Sequence, residues 1–351
     1  MIFGEPILPG IVCLTIEISF IIIESKGWFI MNFIKDKNSD TYKGFAVVKG
    51  FRIATSANKD RLVMTLSDSD GSIDAVMWPP FPEIYFENGD FAYVEGKLND
   101  YNNKPQIILA KIRHINESDE FDLDSLLPTI KQDRNALYDR CIELASSVED
   151  KDYANLCIQL LDDYKNEYLI APAAVSLHHA LRGGLLLHTL TVAVLADKIC
   201  EIYPMLNRSV LIVAALLHDI GKLFEIKFDE NGVAGEYTID GQLIGHIVRG
   251  TNIIRAKAKE MKIKEGKVKL LEHMILSHHG KLEYGSAVLP KTMEAFVLSV
   301  LDNLDASMYE INDTLKNLDE NEFSNSLWFL DNRKIFRPTD YDPDIELNLL
   351  K

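Results

Sequence analysis

The sequence predicts two domains of different class, a small five-stranded β barrel followed by an all-α domain. Three observations predict this. A chain of 351 residues is longer than one compact core usually organises. The hydrophobic period changes from alternation to a three- and four-residue repeat near residue 117. The charge divides at the same place: residues 31–116 carry eleven Lys/Arg and eleven Asp/Glu, whereas residues 117–166 carry five and thirteen. With 37 basic and 53 acidic residues the formal charge is −16. Net charge therefore does not draw this chain to a polyanion, which leaves a local patch or a cation held by carboxylates. Apolar residues at 47% and charged residues at 26% exclude a disordered chain. The four cysteines, Cys13, Cys141, Cys157 and Cys200, form no CxxC pair. Dispersed thiols fit a reducing cytoplasm better than a secreted disulfide framework.

Residues 1–30 stand apart. Ile7 to Ile23 is mostly apolar, yet Met1 to Pro6 has Glu5 and no Lys or Arg, so the basic start of a signal peptide is missing. Glu17 and Pro9-Gly10 interrupt the run, whose length is at the short limit for a spanning helix. The expectation is no membrane anchor, with Met31 as the working start and residues 1–30 a non-native upstream extension.

The β module covers residues 31–116. Gly44 to Thr55 is rich in strand formers, Arg61 to Ser67 alternates, and Asp68, Asp70 and Gly71 signal a turn before Ile73 to Trp78. Asn88-Gly89-Asp90 turns into Phe91 to Leu98; Asn99 to Lys104 reads as a polar loop, and Pro105 to Ile115 closes the set. Five short strands in this order fit an OB-type barrel, with an SH3-like barrel as the alternative. Phe45, Phe51, Arg52, Trp78 and Lys97 are the candidate nucleic-acid contacts, because aromatics among bases stack nucleobases and follow phosphates. For any single one of these aromatics, filling the barrel core is the favoured reading.

Residues 117–131 read as an acidic linker, 132–325 as the helical domain and 326–351 as a C-terminal tail, extended from Arg337 to Lys351. Helical spacing runs through Arg134–Val148, Asp152–Tyr164, Gly184–Ile202, Ser209–His218, Gly245–Lys262, Lys267–His278 and Lys291–Asn317. Ser209 is the expected N-cap of its helix, and Gly221 the left-handed residue that ends it. Glu225 to Tyr237 reads as a hairpin turning at Asn231-Gly232.

Eight of the nine histidines lie between His178 and His279. His218-Asp219 closes the apolar run ALLHDIGK, where a buried imidazole and carboxylate are costly unless a cation offsets them. His188 interrupts GGLLLHTLTVA, His246 interrupts GQLIGHIV, His278-His279 end MILSHHG, and Asp302 and Asp305 interrupt VLSVLDNLDA. Mixed imidazole and carboxylate donors suit a divalent metal: Mn, Co, Fe, Mg or Zn. Spacing alone does not choose between Asp302 and Asp305, one turn apart.

The order His188, His218-Asp219, Asp302 resembles the HD-domain phosphohydrolases over about residues 175–310. With the β module in front, the chain from Met31 is similar to the YhaM-type 3′-5′ exoribonucleases of that superfamily. The resemblance implies that His188, His218, Asp219 and Asp302 hold one ion and His246, His278 and His279 a second, with Asp219 bridging and Mn favoured. Two ions about 3.5–4 Å apart can activate water and clamp both oxygens of an in-line phosphoryl displacement. Lys222 would act with Asp219 in catalysis by neutralising charge on a phosphate oxygen, although a helix-end lysine is the alternative reading. His178, His179 and Arg182 are second-rank phosphate contacts. Leu187 departs from the glutamate that many relatives carry before the first ligand histidine. The implied reaction is hydrolysis of single-stranded RNA, or also DNA, from the 3′ end to nucleoside 5′-monophosphates, in a cytoplasmic protein able to form homo-oligomers. The competing readings are a phosphohydrolase of a nucleotide or cyclic dinucleotide and a non-catalytic RNA-binding protein. The segment HHGKLEYGSAVLP lacks the Gly-Tyr-Pro signature of a cyclic-dinucleotide enzyme, and every position of the ligand pattern is filled.

Overall fold

The computed structural model describes residues 34–35, 41–56, 59–69, 71–101, 104–174, 181–229, 231–232, 234–342, 345 and 347–350. The apolar run at residues 7–23, Cys13 and the Met31 start lie outside the described residues. Among the described residues no helix is long and apolar enough to cross a membrane, and Cys141, Cys157 and Cys200 are buried free thiols.

The N-terminal domain is a closed barrel. A two-residue strand β1 (Ile34–Lys35) lies on β2 (Thr41–Ser56), which is followed by β3 (Lys59–Ser67), β4 (Ser72–Met77), β5 (Phe91–Tyr101) and β6 (Lys104–His114). The order is β2-β3-β4-β6-β5, and β5 returns to pair with β2. All pairings are antiparallel except β4 with β6. Five strands with this one parallel closure are the OB topology. Strand β2 is long enough to serve two neighbours because it bends at a bulge between Lys49 and Arg52. Alternate residues Leu62, Met64, Leu66, Ile73, Ala75, Met77, Val94, Ile107 and Leu109 point inward and form the barrel core. The polar stretch expected as a loop at Asn99–Lys104 is paired strand at its described residues instead. Strand β5 runs to Tyr101 and β6 begins at Lys104, because the ladder partners Asn99↔Gln106 and Asp100↔Pro105 extend past the apolar core.

The acidic linker is not a free tether. It contains a one-turn helix, α1 (Leu123–Leu126), capped by Asp122. Leu126 and Leu127 are buried with Val47 of the barrel, and Phe45, Phe91, Phe121 and Leu123 pack around them. On the other side Asp124 binds Arg134 and Arg182. The segment thus places apolar side chains against the barrel and a carboxylate against the helical domain.

The helical domain comprises α2 (Arg134–Ser146), α3 (Lys151–Asp163), α4 (Lys165–Tyr168), α5 (Gly184–Ile202), α6 (Arg208–Leu217), α7 (Lys222–Glu225), a hairpin of β7 (Ile226–Phe228) and β8 (Ala234–Tyr237), α8 (Ile239–Leu243), α9 (His246–Glu260), α10 (Glu265–Ser277) and α11 (Met293–Lys316). Helix α6 is buried on all sides from Val210 to Leu217, and α5 from Gly184 to Ala193. They pack on each other, with α2 and α11 against α5 and α3, α10 and α11 against α6. A helix that is apolar all round forms the centre of a domain. Ahead of Arg337 the chain forms a 3-10 turn at Trp328–Leu330 and bridges pairing Phe323 with Phe336 and Leu327 with Arg333.

Two local expectations fail for identifiable reasons. The N-cap of α6 is Asn207, whose side chain accepts from the Val210 amide, not Ser209. Gly221 is right-handed, with φ −66°. The backbone after α6 continues in tight turns into α7. The position needs glycine because a Cβ would meet the His246 carbonyl oxygen at 1.9 Å and the Gly250 nitrogen at 2.8 Å. Gly221 therefore lets the start of α9 approach the His218-Asp219 turn. Gly221→Ala is expected to destabilise the fold by about 1–3 kcal/mol through overpacking against backbone. Thermal unfolding by circular dichroism checks this, and an unchanged melting temperature would contradict the close approach.

Candidate metal centre

Five elements bring the candidate ligands together. His188 lies on α5, His218 and Asp219 in the turn that follows α6, His246 at the first position of α9, His278 and His279 just after α10, and Asp302 and Asp305 on α11. His218 and His278 are fully buried, and His188 and Asp219 nearly so. Two groups form, His188 with His218 and Asp219, and His246 with His278 and His279.

The five imidazoles share one arrangement. Each Nδ1 is tied to an acceptor. For His188 it is Asp305 Oδ2 at 2.6 Å, for His218 the Ala215 carbonyl at 2.8 Å, and for His246 Glu225 Oε2 at 2.9 Å. For His278 it is the Ile275 carbonyl at 2.7 Å and for His279 the Tyr284 carbonyl at 2.7 Å. A carbonyl can only accept, so Nδ1 of His218, His278 and His279 carries the proton and Nε2 presents its lone pair. This is the outer support that metal-ligating histidines have.

Four of the Nε2 atoms gather around Asp219. Oδ2 of Asp219 lies 3.3 Å from His218 Nε2 and 3.5 Å from His188 Nε2. Oδ1 lies 3.6 Å from Nε2 of both His246 and His278. One carboxylate thus faces both groups. Asp302 Oδ1 completes the first, 3.2 Å from His188 Nε2 and 3.7 Å from His218 Nε2. Asp302 turns toward the cluster, while Asp305 stands behind His188. Ligand atoms each about 2.1 Å from one ion would sit roughly 3.0–3.4 Å apart, close to these separations. Asp219 Oδ1, His246 Nε2 and His278 Nε2 are buried without a hydrogen-bond partner. Such atoms cost about 1–3 kcal/mol each when nothing answers them. The donor set and these three atoms fit divalent cations.

The charges are set accordingly. Burial opposes ionisation of Asp219, but Lys222 and His218 outweigh it and hold the carboxyl well below its usual range. Burial likewise opposes Asp302, and His188 and His218 hold it low. Burial pushes down His278, and burial with the neighbouring His278 pushes His279 down to about 4. Both are neutral and ligand-ready at pH 7. Burial also opposes charge on His188, yet Asp302 and Asp305 push it up to about 10. Lys222 Nζ lies 2.7 Å from Asp219 Oδ2, and this pairing keeps the buried ammonium charged against its burial.

The other sequence candidates divide. His178 and His179 lie outside the described residues. Arg182, expected near a substrate phosphate, is held by Asp124 of α1, and its main chain pairs with Pro128 and Ile130. Phe45, expected to stack bases, packs against Phe121 and Tyr93 with ring centroids 5.0 and 5.4 Å apart, because the linker segment covers that part of the barrel. Phe51 lies partly within the barrel core, edge-on to Tyr85 and Phe86. Trp78, Arg52 and Lys97 are exposed. Sequence reading missed Glu225 and the backbone acceptors Ala215, Ile275 and Tyr284. Glu225 left a usable signal, an acid one turn after Lys222 in the run HDIGKLFE; carbonyls leave none.

Comparison with known proteins places the chain in a family. The HD domain family model matches residues 185–307. The chain is 31% identical over 307 residues to the 3′-5′ exoribonuclease YhaM of Shouchella clausii (strain KSM-K16), covering 87% of this chain and 95% of that protein. It is 32% identical over 296 residues to the YhaM of Geobacillus sp. (strain WCH70), covering 84% and 89%. It is 31% identical over 286 residues to the YhaM of Bacillus subtilis (strain 168), covering 81% and 90%. A solved structure, the second OB-fold domain of replication protein A from Methanococcus maripaludis, aligns at 21% identity and a TM-score of 0.19 over 22% of this chain and 86% of that one. At this identity over most of both chains, the chain belongs to the YhaM family of 3′-5′ exoribonucleases and carries an HD domain.

Proposed function

We infer that this chain is a metal-dependent 3′-5′ exoribonuclease that uses two divalent ions, Mn favoured, to hydrolyse single-stranded RNA to nucleoside 5′-monophosphates, with single-stranded DNA as a second substrate. The observation that carries the reading is the gathering of four Nε2 atoms around the two oxygens of Asp219, with Asp302 beside His188 and His218. His188, His218, Asp219 and Asp302 would hold one ion, and His246, His278, His279 and Asp219 the other. The ions supply Lewis acidity to the scissile phosphate and lower the pKa of the attacking water.

The protein's own groups do the rest. Asp305 and Glu225 keep the imidazoles of His188 and His246 in orientation. Lys222 fixes the Asp219 carboxylate and places a positive charge beside the point where a phosphate oxygen gains charge. The barrel is the surface for the single strand. Its outer face carries exposed Trp78 and Tyr85 with Arg52 and Lys97, whereas Phe45 is committed to the junction. The decisive experiment is a time course on 5′-labelled single-stranded RNA with metal-stripped protein and added Mn²⁺. Shortening from the 3′ end only with metal is expected; degradation without metal, or none with it, would contradict the reading.

Asp219→Asn is expected to remove hydrolysis while leaving RNA retention in a filter assay intact. Asp305→Asn, which weakens only the acceptor behind His188, should lower metal affinity or activity by about 10–100-fold. Equal, complete loss in both would argue against separate roles. Metal affinity should rise with pH through the neutral range. His188, held up to about 10, is protonated there and must release that proton at Nε2 before an ion binds. Displacing one proton gives about tenfold per pH unit. Calorimetry in buffers of different ionisation enthalpy checks the proton release, and pH-independent affinity would contradict it. Trp78→Ala should weaken single-strand binding by about 1–3 kcal/mol without altering hydrolysis of bis(p-nitrophenyl) phosphate; unchanged RNA affinity would remove Trp78 from the binding face.

A further inference from the structure

The helix that carries Asp302 has a second face. Of the α11 positions between Met293 and Met308, the exposed ones are Met293, Phe296, Val300, Asn303, Leu304 and Met308. Five are apolar, with exposures from 43% for Leu304 to 62% for Phe296. None is charged, in a chain whose formal charge is −16. Contiguous apolar surface of this kind marks an interaction site. Exposed Ile202, Tyr203 and Met205 follow at the end of α5, where the Asn207 amide binds Glu294 on the first turn of α11.

We propose that this face of α11 binds the same face of a second copy of the chain, making a two-fold homodimer. Two properties select a second copy. First, the stripe is self-complementary. In an antiparallel pair centred on Val300, Phe296 meets Leu304 of the other copy, Met293 comes beside Met308, and Val300 meets itself. A two-fold interface requires that reciprocity. Phe296, Val300, Leu304 and Met308 also form a single row at four-residue spacing, the ridge that interdigitates in the commonest helix crossing, and the smaller Val300 lies at the crossing point. Second, two copies of a strongly acidic chain repel over most of their surfaces. A face without charge is where they approach at least cost. The consequence for the site is direct: Asp302 and Asp305 lie on the opposite side of the same helix, so the dimer contact braces the helix that presents them.

Light scattering on the full-length chain tests the proposal. The wild type at tens of micromolar should have twice the 39.8 kDa chain mass. Phe296→Glu and Leu304→Lys should each halve it, with far-ultraviolet circular dichroism unchanged because both side chains face solvent in the monomer. The double variant F296E/L304K pairs Glu with Lys of the other copy twice and should restore the dimer. A monomeric wild type would overturn the proposal, whether the face is covered by the apolar run at residues 7–23 or by another protein. A dimer unaffected by Phe296→Glu would place the interface elsewhere, and failure of the double variant to re-form it would overturn the antiparallel register.

Discussion

The structure turns on one buried carboxylate. Asp219 sits within the helical core, where an isolated negative charge would be untenable. It survives because Lys222 and the imidazoles on four neighbouring segments surround it. Each of its oxygens serves a different group, one facing His188 and His218, the other His246 and His278. The two halves of the centre are therefore coupled through a single side chain, and each histidine's position depends on the packing of a different helix.

That dependence explains the architecture around it. The buried pair α5 and α6 gives His188 and His218 a rigid base, since neither helix has a face turned to water over the segments that matter. Gly221 removes the one side-chain atom that would keep α9 away and so brings His246 within reach. The histidines are then fixed from behind by acceptors at Nδ1. Two of these acceptors are carboxylates, and three are carbonyls from helix ends or the turn at Tyr284. Carbonyl acceptors carry no net charge, so they fix the tautomer without adding to the negative charge of the site. The barrel lies outside this cluster and has a net charge of zero over residues 31–116, unlike the acidic segment that follows it.

Much of this was legible in the residues. The candidate histidines and aspartates stood out because each interrupts a stretch that is otherwise apolar at helical spacing. The barrel was readable from alternation and turn residues, apart from the strand ends at Asn99–Lys104. Features set by three-dimensional approach were not. Spacing left Asp302 and Asp305 equivalent, and only the rotation of α11 relative to His188 turns one toward the cluster and the other behind the ring. Gly221 read as a helix terminator, although its role is contact with the backbone of His246 and Gly250, on a helix well beyond it in the chain. Arg182 read as a phosphate contact from its place beside the site, yet Asp124 in the linker claims it. Phe45 carried the same ambiguity as any strand aromatic, and the covering linker decided it.

The most direct test of the account is an anomalous difference map from crystals of the protein loaded with Mn²⁺. The account predicts two peaks flanking the Asp219 carboxylate, one bounded by His188, His218 and Asp302 and the other by His246, His278 and His279, with every imidazole contributing Nε2. A single peak, a peak that leaves Asp219 out of contact, or a ligand bound through Nδ1 would contradict it.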